Sequence, residues 1–364
     1  MKSNPSKAES FLNTRNPGIA ELEAAIAEPA PDYDGWINEE AAKLKKDIWG
    51  EKVTFVVNRN INFTNVCRIK CLFCGYSVPP GHAGAFVLGI DEILEKITES
   101  MPVGITEVCI TGGLNPSLNL AYLTDMVRAI SCNFPRLHIH AFSPMEISWL
   151  ARREGLGIKD VLENLKTAGL GSMPGTAAEI LVDSVRKKIC PGKIVTADWV
   201  EVIKSAHSMG IPTTATIMFG HIETALDIAK HLSILKQIQE ETGGFTEFVP
   251  LPFIPFNTAL KDGNAASLNK KHVKRIHAVA RIFFRDLIPN IQVSWTKLGV
   301  ETARELLHSG VSDFGGTLIE ENITRMAGGS FGQYLPREQI VSLIREEGFI
   351  PAERDTIYSR IKPA

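Results

Sequence analysis

Cys67, Cys71 and Cys74 stand close together in the stretch NRNINFTNVCRIKCLFCGYS. Thiols this near in sequence can surround one metal centre, and two kinds of centre compete for them. Structural zinc takes four tetrahedral ligands, commonly as paired Cys-x2-Cys or Cys/His sets. Here the spacing is Cys-x3-Cys-x2-Cys, and the nearest further ligand is His82 in PPGHAGA, so a Cys3His zinc site is one reading. An iron-sulfur cube held by three cysteines is the other, and it leaves one iron open. Electron-transfer clusters fill every position with protein thiolates; an open iron implies that something else binds there. The remaining cysteines, Cys109, Cys132 and Cys190, are scattered and read as small buried or half-buried residues.

A scaffold must hold such a loop. Eight apolar, β-branched runs (KVTFVVNRNINF, ITEVCITGG, LHIHAFS, LGSMPG, IPTTATIMFGH, FTEFVPLPF, NIQVSWT and VSDFGGT) alternate with helical patterns such as IDEILEKITES and LAYLTDMVRAISCNF. Several of those patterns stop at glycine, Gly169, Gly210 and Gly243, which suits a left-handed helix end. The alternation predicts an α/β fold, a (β/α)8 TIM-type barrel, with an open doubly wound sheet as the alternative. Residues 1–50 predict an N-terminal helical extension, and residues 51–364 the barrel with a C-terminal helical cap. In such a barrel, functional groups gather at the carboxyl ends of the strands. The cysteines follow the first predicted strand and Gly112 and Gly113 the second; His138 and His140 lie on the third. Residues 173–179 follow the fourth, His221 ends the fifth, and residues 315–322 follow the eighth.

The chain has 364 residues, 44% hydrophobic and 22% charged, with a net charge of -2. That composition is globular, and so small a charge leaves no electrostatic footprint for nucleic acid or an anionic membrane. No apolar run approaches the roughly 18 residues of a membrane span, and the N-terminus lacks the apolar core of a secretory signal. A cytoplasmic protein is expected, in which six cysteines are not a disulfide framework.

The motif Cys-x3-Cys-x-aromatic-Cys after a first barrel strand resembles the signature of the radical S-adenosylmethionine (SAM) superfamily. The resemblance implies a 4Fe-4S cluster on Cys67, Cys71 and Cys74, whose open iron takes the amino and carboxylate groups of SAM. The reduced cluster then splits SAM to methionine and a 5'-deoxyadenosyl radical that abstracts hydrogen from a substrate. It also implies that Phe73 and Tyr76 lie on the cofactor side, Phe73 against the adenine, and that Thr111, Gly112 and Gly113 of ITGGLNP form a turn around the methionyl group. Glu179 of SMPGTAAEIL, read as opening a helix, is the candidate for the ribose diol.

From about Leu44 onward, NRNINFTNVC, HAFSPMEI, GSMPGTAAEIL, CPGKI, IPTTATIMFGHIET, GGFTEFVPLPF, VSWTKLG and GGTLIEENITRMAG resemble the tyrosine-condensing subunit of FO synthase. That family implies a transferase that joins the 4-hydroxybenzyl part of L-tyrosine to 5-amino-6-(D-ribitylamino)uracil and releases 2-iminoacetate, in 5-deazaflavin biosynthesis. Its partners would be an electron donor such as flavodoxin or ferredoxin and a separate ring-closing subunit, since one cysteine triplet does not serve both steps. The alternatives are a futalosine-pathway radical enzyme of menaquinone synthesis and, from another class, a zinc-stapled binding module. A ribityl chain and a uracil edge need many polar partners. His140, His221 and Glu321 are the catalytic candidates; Asn65, Ser143, Thr214, Thr216, Glu320, Asn322 and Arg325 are the substrate-binding ones. His138 and His140, two apart on a strand, share one face. The chain departs from the family pattern at Gly75 and Tyr76, where Ala-Phe is common, and at Thr111 and Asn115, where Gln and His are common.

Overall fold

Strand Lys52–Val56 runs on through Val57 into strand Asn58–Ile61 and makes the first stave of a ring. The computed structural model from which this is read describes residues 7–27, 32–260 and 269–364. Asn58 pairs with Glu107 of the second stave, Glu107–Ile110, and Glu107 in turn with His138 of the third, His138–Ala141. The fourth consists of two single bridges, His140 to Ser172 and Met173 to Thr213. The fifth and sixth, Thr213–Phe219 and Phe245–Pro252, pair over most of their length. The seventh again consists of bridges, Phe248 to Ile291 and Gln292 to Asp313. The eighth, Asp313–Gly316, returns to the first through Thr54 and Val56, and Ile319 bridges Arg59. Every pairing is parallel, so the ring closes as the expected (β/α)8 barrel.

Two expected strands are thus reduced to bridges. Pro174 has no N–H for a ladder, and the Gly175 N–H donates to the Thr214 hydroxyl (2.8 Å) instead of to a neighbouring strand. The seventh passes into the helix Trp295–Leu298 almost at once. A third difference lies at the C-terminus. Beyond the helix Arg337–Glu346, Ile350–Arg354 pairs in parallel with Lys52–Phe55, and Ile361–Pro363 folds back against it. The helical cap expected there is a helix followed by two strands. FIPAERDT shows no apolar alternation because its inward group is the polar Arg354.

Period-two alternation makes the barrel interior polar and its outside apolar. Ile139 packs in the apolar core, while His138 and His140 on either side share the opposite face. Outside the ring, the helices Lys7–Asn13, Ile19–Ile26 and Tyr33–Trp49 form a layer, the latter two packed on Ala225–Thr242 and Lys270–Phe284. Asp34 accepts two bonds from the Arg275 guanidinium (2.7 and 2.8 Å), and Trp49 Nε1 donates to the Pro289 carbonyl (3.0 Å). Among the described residues no helix is long and apolar enough to cross a membrane.

Candidate active site at the carboxyl ends of the staves

The cysteine loop leaves the first stave and is held by backbone bonds from several directions. Cys67 N–H donates to the Val78 carbonyl (2.9 Å), Arg68 N–H to Leu114 (3.1 Å), Leu72 N–H to Ile189 (2.8 Å) and Cys74 N–H to Cys71 (3.1 Å). All three thiols are half-buried and free. Burial pushes the Cys71 thiol up to about 12 and raises that of Cys67. The Asn65 amide is bonded to its own loop: Nδ2 donates to the Gly84 carbonyl (2.8 Å) and Oδ1 accepts from Phe86 N–H (2.9 Å). It ties down the returning chain. His82 is exposed and turned to its own loop, accepting from Gly84 N–H (3.0 Å).

The glycine turn after the second stave lies flat on this loop. A Cβ on Gly113 would meet the Val66 carbonyl oxygen at 2.3 Å and Cys67 Cβ at 3.0 Å, so only glycine permits the approach. Thr111 N–H donates to Ile61 and Gly113 N–H to Thr64 (3.2 and 3.0 Å). Gly112 N–H donates to the Glu146 carboxylate (3.1 Å). Glu146 is buried, and its other oxygen accepts from Ser143 N–H and hydroxyl (2.7 and 2.6 Å). Ser143 is therefore the cap of helix Pro144–Glu154. Glu146 couples that helix to the glycine turn, a role unassigned from sequence although HAFSPMEI contains a capping box. Burial raises the Glu146 carboxyl to about 7, against the bonds from Ser143 and Gly112.

Glu179 does not open a helix: it sits in a turn with φ 46°, near Ala177 at φ 64°, and the next helix begins at Asp183. Two non-glycine residues in the left-handed region are strained, and the surroundings hold them there. Arg186, buried, donates to the carbonyls of Ala177, Ala178, Ile180 and Ile194, and the Glu179 carbonyl accepts from Met218 N–H (2.7 Å). The Glu179 carboxylate is paired with Lys193, whose Nζ lies 5.3 Å from the centre of the Phe73 ring. Burial opposes the Lys193 charge, yet Glu179, Cys71 and Cys190 hold the ammonium above its ordinary value. Cys190 is buried, as expected, and lies within electrostatic range of Cys71 and Lys193. Lys193, in CPGKI, was not singled out from sequence, because nothing local links it to Glu179.

The other expected residues divide. His140 faces the barrel interior just below the glycine turn, with Nδ1 bonded to the Ser172 hydroxyl (2.7 Å). Thr214 and Thr216 clamp Gly175: the first accepts its N–H, and the second donates to its carbonyl (2.9 Å). His221 is turned into its own loop, Nε2 donating to Met218 (3.1 Å) and Nδ1 accepting from Ile222 N–H (2.7 Å). Glu320, at φ 63°, joins Arg59 and Lys96 and so fastens the eighth stave to the first. Glu321 caps the short helix Asn322–Met326 through Thr324 N–H (3.1 Å). Asn322 and Arg325 both bind Gln333 (2.7 and 2.5 Å). Lys297, following the seventh stave in the field of Glu321 and Glu179, is a further cation at this end that went unassigned.

Among the described residues, no three His, Cys, Asp or Glu side chains converge as for a single metal ion. Tyr76 Oη is buried next to Cys74 and has no hydrogen-bond partner among the described residues. The Gly75 departure has a steric reason, since a Cβ there would lie 2.7 Å from Ala327 Cα and from the Met326 carbonyl oxygen.

Residues 61–235 match the radical SAM superfamily, and residues 242–363 match the CofH/MqnC C-terminal region. The chain is 48% identical over 323 residues to the 5-amino-6-(D-ribitylamino)uracil--L-tyrosine 4-hydroxyphenyl transferase of Methanopyrus kandleri, covering 88% of this chain and 87% of that one. It is 47% identical over 319 residues to the enzyme of that name from Archaeoglobus fulgidus, covering 88% and 92%. Solved structures share the fold, among them the two that follow. The FeFe-hydrogenase maturase HydG from Carboxydothermus hydrogenoformans superposes with a TM-score of 0.75 at 17% identity, covering 96% of this chain and 80% of that one. Methylornithine synthase (PylB) does so with 0.74 at 15%, covering 95% and 97%.

Proposed function

The chain belongs to the radical SAM superfamily and, within it, to the 5-amino-6-(D-ribitylamino)uracil--L-tyrosine 4-hydroxyphenyl transferase family, and from that premise we propose that it transfers the 4-hydroxybenzyl group of L-tyrosine to C5 of 5-amino-6-(D-ribitylamino)uracil with release of 2-iminoacetate, in 5-deazaflavin (FO) synthesis. The observation that carries this is the near-half identity across barrel and C-terminal region alike. Cys67, Cys71 and Cys74 would hold a 4Fe-4S cluster with one iron left for SAM. When bound, cluster and SAM supply the 5'-deoxyadenosyl radical.

The chain's own residues orient the reactants and exclude water. The Gly112–Gly113 turn, kept in place by Glu146, offers a backbone edge beside the cysteine loop. Phe73, Tyr76 and the Glu179–Lys193 pair border it. His140 is the candidate base at the substrate, and Lys297 is a candidate for an anionic substrate group such as the tyrosine carboxylate. Asn65, Ser143, Thr214, Thr216 and Glu320 act at one remove by fixing loops, and His221, Glu321, Asn322 and Arg325 shape the rim. A flavodoxin or ferredoxin would supply electrons in the cytoplasm, and a ring-closing subunit would take the product.

Anaerobic reconstitution with iron and sulfide, then dithionite, SAM, L-tyrosine and the ribitylaminouracil, tests the reading by mass spectrometry. 5'-Deoxyadenosine together with a hydroxybenzyl-uracil adduct is expected. 5'-Deoxyadenosine without the adduct would overturn the substrate assignment and leave the radical chemistry standing.

A further inference from the structure

We propose that Ser172 links His140 and His138 into a proton relay, which carries the proton released by the condensation from the cysteine-loop end of the barrel to its amino end. The proposal rests on the transferase reading above. Three side chains carry it. His140 Nδ1 and His138 Nε2 each lie 2.7 Å from the same Ser172 hydroxyl oxygen. A hydroxyl has one proton, so it donates to one imidazole while it accepts from the other. The two rings are consequently coupled. When His140 Nδ1–H donates to Ser172, His140 Nε2 presents a lone pair; reverse both bonds and Nε2 carries the proton.

Position gives the relay a direction. His140 pairs with Cys109 and His138 with Glu107, so the two rings occupy successive layers of the barrel interior. His140 is 7% exposed and, among the described residues, only its Nδ1 has a hydrogen-bond partner, while the half-buried His138 lies at the amino end of its stave. There the C-terminal segment arrives, and Asp355 and Glu107 face His138; Glu107, Arg354 and His138 face His140. Burial lowers both rings, His140 to about 4, so each rests neutral and able to accept.

The chemistry requires a proton to leave. When C5 of the uracil gains the benzyl carbon, its double bond to C6 is lost and the ribitylamino nitrogen on C6 becomes an imine. The adduct radical must then lose one electron, for which the cluster that Cys67, Cys71 and Cys74 would hold is the acceptor, and one N–H proton, which must go to a base. His140 Nε2 takes that proton and gives up its Nδ1 proton to Ser172 Oγ. Ser172 passes its own to His138 Nε2, and His138 releases its Nδ1 proton towards Asp355 and water.

The test uses the reconstituted full chain with Ser172→Ala, Ser172→Thr and His138→Gln. Glutamine keeps a hydrogen bond to Ser172 but cannot pass a proton onward. Adduct formation in H2O and D2O is compared with 5'-deoxyadenosine formation, and 15N shifts of labelled histidines report the tautomers independently of turnover. Ser172→Ala and His138→Gln should each slow the adduct by about 100-fold, with 5'-deoxyadenosine still formed and the solvent isotope effect altered. Ser172→Thr should restore both, and Ser172→Ala should shift the His138 and His140 nitrogens. Wild-type adduct rates and isotope effects in a folded His138→Gln enzyme would overturn the relay. A wild-type protein that makes 5'-deoxyadenosine but no adduct overturns the transferase reading, and the relay with it.

Discussion

At the scale of single residues, charge at the cysteine loop depends on a pair that sequence distance conceals. Glu179 and Lys193 are each less than one-sixth exposed (13% and 14%) and meet beside Phe73. Removing one partner of a buried pair leaves the other uncompensated, at about 3–5 kcal/mol. Lys193→Met should therefore destabilise the chain by about 3 kcal/mol in urea unfolding, and the double variant Lys193→Met/Glu179→Gln should regain much of it. A double variant no more stable than the single one would mean that the pair does not hold the strained turn. Glu146 shows the same logic in a carboxylate. Its identity was legible as the fourth member of a Ser-x-x-Glu box, but its bond to Gly112 was not, because that partner lies on another stave.

At the scale of elements, the cysteine loop and the glycine turn form one body through close backbone approach. Gly113→Ala would drive a Cβ into the Val66 carbonyl, 2.3 Å away, beside Cys67. The expected outcome is a folded barrel with unchanged far-ultraviolet circular dichroism whose iron and sulfide content after reconstitution falls by at least half. Full cluster content in that variant would show that the two elements move independently. The staves themselves follow the same division between local and distant causes. Those with long β-branched runs, Thr213–Phe219 and Phe245–Pro252, were legible from composition; the fourth and seventh shrank to bridges where Pro174 and a short helix cut the ladder.

At the scale of the molecule, the C-terminal segment closes the amino end of the barrel with buried charge. Arg354 donates to Asp313 (2.5 Å) and Glu247 (3.1 Å), and the Tyr358 hydroxyl lies within hydrogen-bond reach of both carboxylates, closer to Glu247. Arg354→Met leaves both acids without their cation and should cost about 3–5 kcal/mol, read as a fall in the urea midpoint; an unchanged midpoint would mean that the segment does not seal the barrel. Acid stability follows from the histidines. Burial lowers His140, His207 and His277 to about 4 and His231 to about 3, and it lowers His138 as well. For a group lowered in the folded state, stability is complete above the unfolded value near 6.5 and is lost as pH falls through the folded value. Glu146 and Glu247, each raised to about 7 by burial, act oppositely: their contribution is complete below about 4.5 and fades as pH rises towards 7. With five lowered histidines against two raised acids among the described residues, net stability should decline from pH 6.5 to 4 in thermal unfolding. A rise over that range would show that the acids dominate.

The chain's motifs carried the resemblance to the family, and by itself the sequence determined the barrel, the cysteine loop and the glycine turn. Each of these is written in local spacing: period-two runs, helical periods ending at glycine, three thiols in one loop. Only the tertiary structure decided that Lys193 answers Glu179, that Ser172 lies between two histidines, and that Arg354 reaches Glu247, 107 residues away. It also turned Asn65, Ser143 and His221 from open polar candidates into fastened ones. The reason is that a polar side chain's function depends on whether its hydrogen bonds are already satisfied, and closure of the ring chooses those partners from distant parts of the chain.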